Sequence, residues 1–274
     1  MNKSVDYALA AHASARGVPA PRQPAYSEDA AAYDRRTGAF QAYRQAIVEA
    51  LPVRQGQVVL DVGCGTGLCC GLLVEKVGSQ GGVVGIEESP EMAAIARERV
   101  AREGWDNVTI VQAGAQDARI ADTADAALFC AVHDIMQSPD ALQNVMSQLR
   151  PQAQVAAGGG KWAARWLVGV NMQARILHAP YVRSFEGFDR PWQNLEPLIE
   201  DVQLREVAFG SGYVMTGRKP VPAPRHPSGL REGPDRGRPH QAGARSVPPR
   251  SGSTDQHASS RVRANRSGAL MQTP

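Results

Sequence analysis

The segment Val58-Val59-Leu60-Asp61-Val62-Gly63-Cys64-Gly65-Thr66-Gly67 constrains this chain more than any other. A short apolar run reads as a buried strand, and it ends in glycine at every second position. Glycine lets the backbone adopt φ > 0 and lets a ligand lie against it with no Cβ between. The spacing is G-x-G-x-G, with an acid two residues before the first glycine. The nicotinamide fingerprint G-x-G-x-x-G is excluded because Leu68 occupies its last position. A second acid, Glu87, ends the next apolar run, 20 residues after Gly67.

The rest of the chain alternates in the same rhythm. A helix is expected over about 34–51, where Phe40, Tyr43, Ile47 and Leu51 recur at three or four. Another is expected over about 67–77. Strands are expected at 83–86, 108–111, 126–131 and 154–157. Helices are expected over 90–102 and 139–149, with Ser89 and Ser138 as N-caps and Pro at each first position. Strands separated by helices imply βαβ units. Val202–Phe209 and Gly212–Thr216, joined only by Gly210-Ser211, imply an antiparallel hairpin. The predicted fold is α/β: a Rossmann-like, doubly wound, mostly parallel seven-stranded sheet with an antiparallel C-terminal hairpin.

Composition sets the boundaries. Residues 219–274 contain no Phe, Trp or Tyr and carry +7, which leaves −4 for residues 1–218 of a chain whose total is +3. The part able to fold is mildly acidic, which argues against a nucleic-acid-gripping core. Three segments are predicted: a flexible N-terminal arm over 1–30, a single domain over 31–219, and a basic Pro/Gly/Arg-rich tail over 220–274. The tail has too few large apolar residues to offset its ordering entropy and is expected to be disordered. No run reaches the 18 or so apolar residues of a membrane span, and no secretory h-region is evident, so a cytoplasmic protein with no membrane partner is expected. Cys64, Cys69, Cys70 and Cys130 lack zinc or disulfide-framework spacing, so no metal is expected.

With the L-D-V-G-C-G-T-G run and Glu87 in place, residues 33–218 resemble the class I S-adenosylmethionine-dependent methyltransferases. The resemblance implies S-adenosylmethionine as cofactor. It places Gly63, Cys64, Gly65 and Gly67 under the methionine moiety. Asp61 would orient that loop and the amino group, and Glu87 would accept both ribose hydroxyls. Glu88 would be a solvated neighbour, and Met92 would touch adenine or pack in the core. Relatives often carry Asp where this chain has Gly114. Adenine is then left to the Ala115 N–H, to Gln116 or to Asp117.

The acceptor is expected at the carboxyl ends of the fourth and fifth strands. There His133 is the candidate general base, and Asp134 either orients it or starts the next turn. Six of the 15 aromatic residues lie in 161–192, a segment that either covers the site or packs on the sheet edge. Tyr33 and Tyr43 are candidates to close over the pocket. Lys161 either steers an anionic acceptor or points to solvent. His133-Asp134 and Gly187-Phe188-Asp189-Arg190-Pro191-Trp192 resemble a bacterial small-molecule methyltransferase subset. The expected reaction is in-line methyl transfer to a small-molecule acceptor, at carbon, nitrogen or oxygen. The alternatives are a nucleic-acid methyltransferase, although no Asn/Asp-Pro-Pro-aromatic motif follows the fourth strand, and a non-catalytic cofactor-binding pseudoenzyme, suggested by Gly114. Oligomeric state leaves no trace in the sequence.

Overall fold

The computed structural model describes residues 30–222. The sequence expectations for residues 1–29 and for the tail beyond 222 lie outside the described residues. Five parallel strands, β1 (Val58–Val62), β2 (Gly82–Glu87), β3 (Val108–Gln112), β4 (Ala124–Cys130) and β5 (Leu149–Gly160), form most of one sheet. The strands β6 (Glu200–Val207) and β7 (Gly212–Arg218) complete it as an antiparallel pair, with β7 against β5. The order is β3-β2-β1-β4-β5-β7-β6. This is the seven-stranded, mostly parallel architecture expected.

Strand periodicity sorts the core into two layers. Leu60, Val62 and Phe129 face one side with Met136, Leu142 and Val145. Val59 and Leu128 face the other with Ile47, Leu73 and Ala96. Because successive side chains alternate, Asp61 shares the face of Val59, the side covered by α2 (Gln41–Ala50), α3 (Cys70–Val77) and α4 (Pro90–Glu103). Burial on both faces is what a parallel sheet requires, and it explains the near-continuous apolar runs.

Several expected boundaries move, each for a local reason. The helix expected over 34–51 is divided into α1 (Ala30–Thr37), a 3₁₀ turn (Gly38–Phe40) and α2. Thr37 Oγ1 donates back to the Tyr33 carbonyl at 2.9 Å, and Gly38 follows; both weaken helix continuation. The helix expected from 67 starts at Cys70, because Gly67 has φ +80°. Both serine caps form: Ser89 Oγ accepts from the Met92 N–H and Ser138 Oγ from the Ala141 N–H, each at 3.3 Å. The helix expected over 139–149 forms as α6 (Pro139–Ser147), and a short helix not expected from the sequence, α5 (His133–Met136), precedes it. The hairpin link is longer than two residues, since β6 stops at Val207 and a 3₁₀ turn spans Ala208–Gly210. Within 161–192, one helix forms, α7 (Val168–His178).

Candidate active site

Strand β1 pairs with β2 on one side and β4 on the other, so the connections leave in opposite directions at its carboxyl end. That divergence opens a crevice, where ligands bind in such sheets. The crevice is a cleft of about 320 Å³. Its floor is the glycine loop, where Gly63, Gly65 and Gly67 have φ of +68°, +58° and +80°. A Cβ at Gly63 would lie 2.6 Å from Val132 Cγ1, so only glycine lets the β4 carboxyl end approach the loop. A Cβ at Gly65 would meet no protein atom, and Gly65 lines the cleft. The loop is latched from outside: Thr66 Oγ1 donates to Asp34 Oδ1 at 2.6 Å, Asp34 pairs with Arg99, and Arg99 Nε donates to the Thr66 carbonyl at 2.8 Å. This latch joins α1 to α4 across the loop.

The two acids play different parts. Glu87 accepts from the Gly65 N–H at 2.9 Å through one oxygen and from the Ser89 N–H at 2.8 Å through the other. Each carboxylate oxygen keeps a second lone pair for a diol. Asp61 is fully buried, and its Oδ2 has no hydrogen-bond partner. Burial first and the charge of Glu87 second push its carboxyl up to about 7; Arg44 opposes them. A buried acceptor beside a glycine cradle suits an ammonium group, and a paired carboxylate at the end of β2 suits a ribose. The residues therefore fit S-adenosylmethionine. Cys64 and Met92 are buried and line the cleft, so Met92 packs in the core and faces the cleft together.

The Gly114 departure has a structural complement. Ala113, Ala115 and Gln116 line the cleft. A Cβ at Gly114 would lie 2.3 Å from Gln116 Nε2 and 3.0 Å from its Oε1. The exposed Gln116 amide thus fills the space an aspartate at 114 would take, with its Nε2 donating to Asp117 Oδ2 at 3.0 Å.

A second cavity of about 70 Å³ adjoins the first and shares Tyr33, Arg44, Cys130, Ala131, His133 and Tyr181 with it. Phe40, Phe188 and Tyr213 make its other walls largely aromatic. His133 follows Ala131, which leaves β4 with φ +58°, a strained conformation that turns the chain into α5. His133 Nε2 lies 3.0 Å from the Glu186 carbonyl, which assigns the proton to that nitrogen and the lone pair to Nδ1. Nδ1 has no partner. Burial lowers the imidazole below its ordinary 6.5, against the Glu186 carbonyl and the charge of Asp134. The ring packs edge-on to Phe188 at 5.1 Å.

Other side chains take positions that the sequence does not indicate. Asp134 accepts from the Arg183 N–H at 3.1 Å and lies 3.6 Å from Arg183 Nε; Glu88, exposed as expected, lies 3.8 Å from the same guanidinium. Arg183 therefore straps the segment after α7 to the rims of β2 and β4. Tyr181 meets Tyr33 edge-on at 5.7 Å, and both line the two cavities. Tyr43 donates to the Gly159 carbonyl at 2.8 Å and accepts from the Tyr213 N–H, so it ties α2 to β5 and β7. Lys161 neither steers an acceptor nor points to solvent. It is buried and donates to Glu206, the Trp162 carbonyl and the Gly210 carbonyl. Arg44, a buried guanidinium lining both cavities, escapes sequence reading altogether. Among the described residues, no group of three His, Cys, Asp or Glu is placed to hold a metal.

A doubly wound sheet with a glycine loop, a buried acid and a strand-end glutamate at its switch point defines a nucleotide-cofactor domain of the methyltransferase type. Residues 54–162 match the family model described as a methyltransferase domain. A demethylmenaquinone methyltransferase from Shouchella clausii is 32% identical over 123 residues, 44% of this chain and 49% of that one. A protein-L-isoaspartate O-methyltransferase from Ignicoccus hospitalis is 45% identical over 65 residues, 24% and 31% of the two chains. The chain spans about a third to a half of the length of these relatives. The phosphoethanolamine N-methyltransferase 2 of Haemonchus contortus, solved with S-adenosyl-L-methionine, superposes with a TM-score of 0.54 at 15% identity, covering 70% of this chain and 57% of that one. The match over residues 54–162, the fold and the lining of the cleft together support a class I S-adenosylmethionine-dependent methyltransferase.

Proposed function

We propose that this protein transfers the methyl group of S-adenosylmethionine to a small-molecule acceptor held in the second cavity. The observation that carries the reading is that cavity itself. It is small, walled by aromatics, and continuous with the cofactor cleft through residues of β4, α1 and the segment after α7. A compact cavity of this kind favours a small acceptor. The cofactor supplies an activated methyl on a sulfonium. The chain's own work is to align the acceptor, exclude water and take a proton where the nucleophile carries one. Tyr33, Tyr181 and Phe188 do the excluding. His133, neutral near pH 7 with its Nδ1 lone pair unengaged, is the candidate base. The Glu186 carbonyl orients the ring, and Asp134 is a positioning residue that acts through Arg183.

The test is release of S-adenosylhomocysteine across panels of small phenols, amines and activated carbon acids, with RNA and denatured protein as controls. Turnover only with RNA or protein overturns the reading; cofactor binding with no turnover on any panel marks a pseudoenzyme. With an acceptor in hand, His133→Ala is expected to lower kcat by roughly 10²–10⁴ with cofactor affinity retained. Wild-type kcat is expected to fall on acidification, with a midpoint below 6.5. An unchanged kcat in the variant removes His133 from the chemistry.

A further inference from the structure

Helix α7 is amphipathic the wrong way round. Its inward positions carry one apolar side chain, the half-buried Val170, among small or polar ones: Ala174 is the buried one, Asn171 bonds the Ala163 N–H at 2.8 Å, and His178 lines the second cavity. Its outward positions at i, i+4 and i+8 are Val168, Met172 and Ile176, exposed by 67%, 57% and 67%. Trp166, just before the helix, is 79% exposed. A globular helix turns such a stripe to the core, so this one has been kept outside. A second exposed anchor stands nearby. Phe209 is 87% exposed on a turn where both Ala208 and Phe209 have φ above +50°, a conformation that costs free energy for non-glycine residues. That turn is fastened to the foot of the α7 segment, since Lys161 donates to the Gly210 carbonyl at 3.0 Å and Gly210 lies against Ala163.

Charge decides what covers this face. From Lys161 to Phe185 the sequence has no Asp or Glu, although residues 1–218 as a whole are net acidic. Lys161 and Arg183 are engaged with acids, while Arg165 and Arg175 are exposed at the margins of the stripe, Arg175 also lying over the Phe185 ring. An anionic lipid headgroup layer would neutralise them while the apolar residues and the two aromatics enter the acyl boundary. Trp and Phe with basic neighbours are the composition of an interfacial helix. The expectation of no membrane partner rests on the lack of a spanning run, and no helix among the described residues is long and apolar enough to cross a membrane; the contact inferred here is at a surface and departs from that expectation. We infer that α7, with Trp166 and the Phe209 turn, docks this protein on an anionic lipid surface, beside the His178 wall of the second cavity. The inference stands apart from the choice of acceptor: docking without turnover, or turnover without docking, separates the two.

The test uses the full chain with sedimenting vesicles of phosphatidylcholine alone or with one third phosphatidylglycerol. Binding is expected only to the anionic vesicles, with a blue shift of tryptophan emission that Trp166→Phe removes. Met172→Asp with Ile176→Asp changes exposed side chains, so the thermal melt should be unchanged while vesicle affinity falls at least tenfold. Arg165→Gln and Arg175→Gln are each expected to cost roughly fivefold. Vesicle binding that persists in the double aspartate variant belongs to arginines elsewhere in the chain and overturns the inference. Absence of binding overturns it too, as does equal binding to neutral vesicles. So does a wild-type dimer, seen by light scattering, that the aspartates dissociate.

Discussion

Asp61 should oppose folding and promote cofactor binding, and the two effects can be measured on one variant. Its carboxyl ordinarily titrates at 3.8 and is pushed up to about 7 by burial and by Glu87. Between those values the folded chain holds a proton that the unfolded chain has lost, so stability falls as pH rises through this window. At 1.36 kcal/mol per tenfold, the gap corresponds to about 4 kcal/mol of destabilisation, fully expressed above pH 7. Asp61→Asn removes the charge but leaves a buried amide. If the unpaired amide gives back about half of the gain, about 2 kcal/mol remains, a Tm higher by roughly 4–8 °C at pH 8 for a domain of this size. At pH 5 the advantage should shrink. Binding of S-adenosylhomocysteine should respond in the opposite sense. Only the ionised Asp61 attracts the ligand's ammonium group, so wild-type affinity should rise roughly tenfold from pH 6 to pH 8. In the variant it should be weaker and nearly flat with pH. Calorimetric titration and melting curves at pH 5, 6, 7 and 8 provide both readouts. A variant that melts lower than wild type at pH 8, or binds with unchanged affinity and pH profile, refutes the assignment of Oδ2 as the ammonium acceptor.

Two further outcomes follow from the cleft. Gly65→Val places a β-branched residue at φ +58° with its Cβ in the cleft, and Glu87→Ala removes the diol acceptor and frees the Gly65 and Ser89 N–H groups; each should reduce S-adenosylhomocysteine affinity by 100-fold or so by calorimetry, about 3 kcal/mol. Gln116→Ala should weaken binding by roughly tenfold or less, the range of one neutral hydrogen bond, and the same change should matter little for S-inosylhomocysteine, whose base lacks the adenine amino group; equal loss with both ligands rules out the Oε1 contact.

The sequence alone determined the sheet, its mostly parallel strands, the serine caps and the glycine loop. These rest on short-range rules: period-two burial, proline and serine at helix starts, and glycines where φ must be positive. That Asp61, Glu87 and His133 line one cleft was legible for the same reason, since they stand at or just past the carboxyl ends of β1, β2 and β4, and strand ends in a parallel sheet converge. Tertiary structure decided the rest. Arg44 sits 17 residues before Asp61 on a helix whose pattern says only that it is amphipathic. It reaches the cleft because β1 alternation turns Asp61 toward α2. Arg183 is 49 residues from Asp134 and 95 from Glu88; nothing in their spacing indicates that one guanidinium bridges both rims. Lys161 shows the converse. At a strand's carboxyl end it looked available to a ligand, but the Ala208–Gly210 turn folds back over it and the partly exposed Glu206 pairs with it. The outward stripe of α7 was not read from the sequence, which gave 161–192 only as an aromatic segment, and periodicity does not say which side of a helix faces the core. That choice depended on Asn171 and His178 finding partners inside, which left the apolar side chains for the surface.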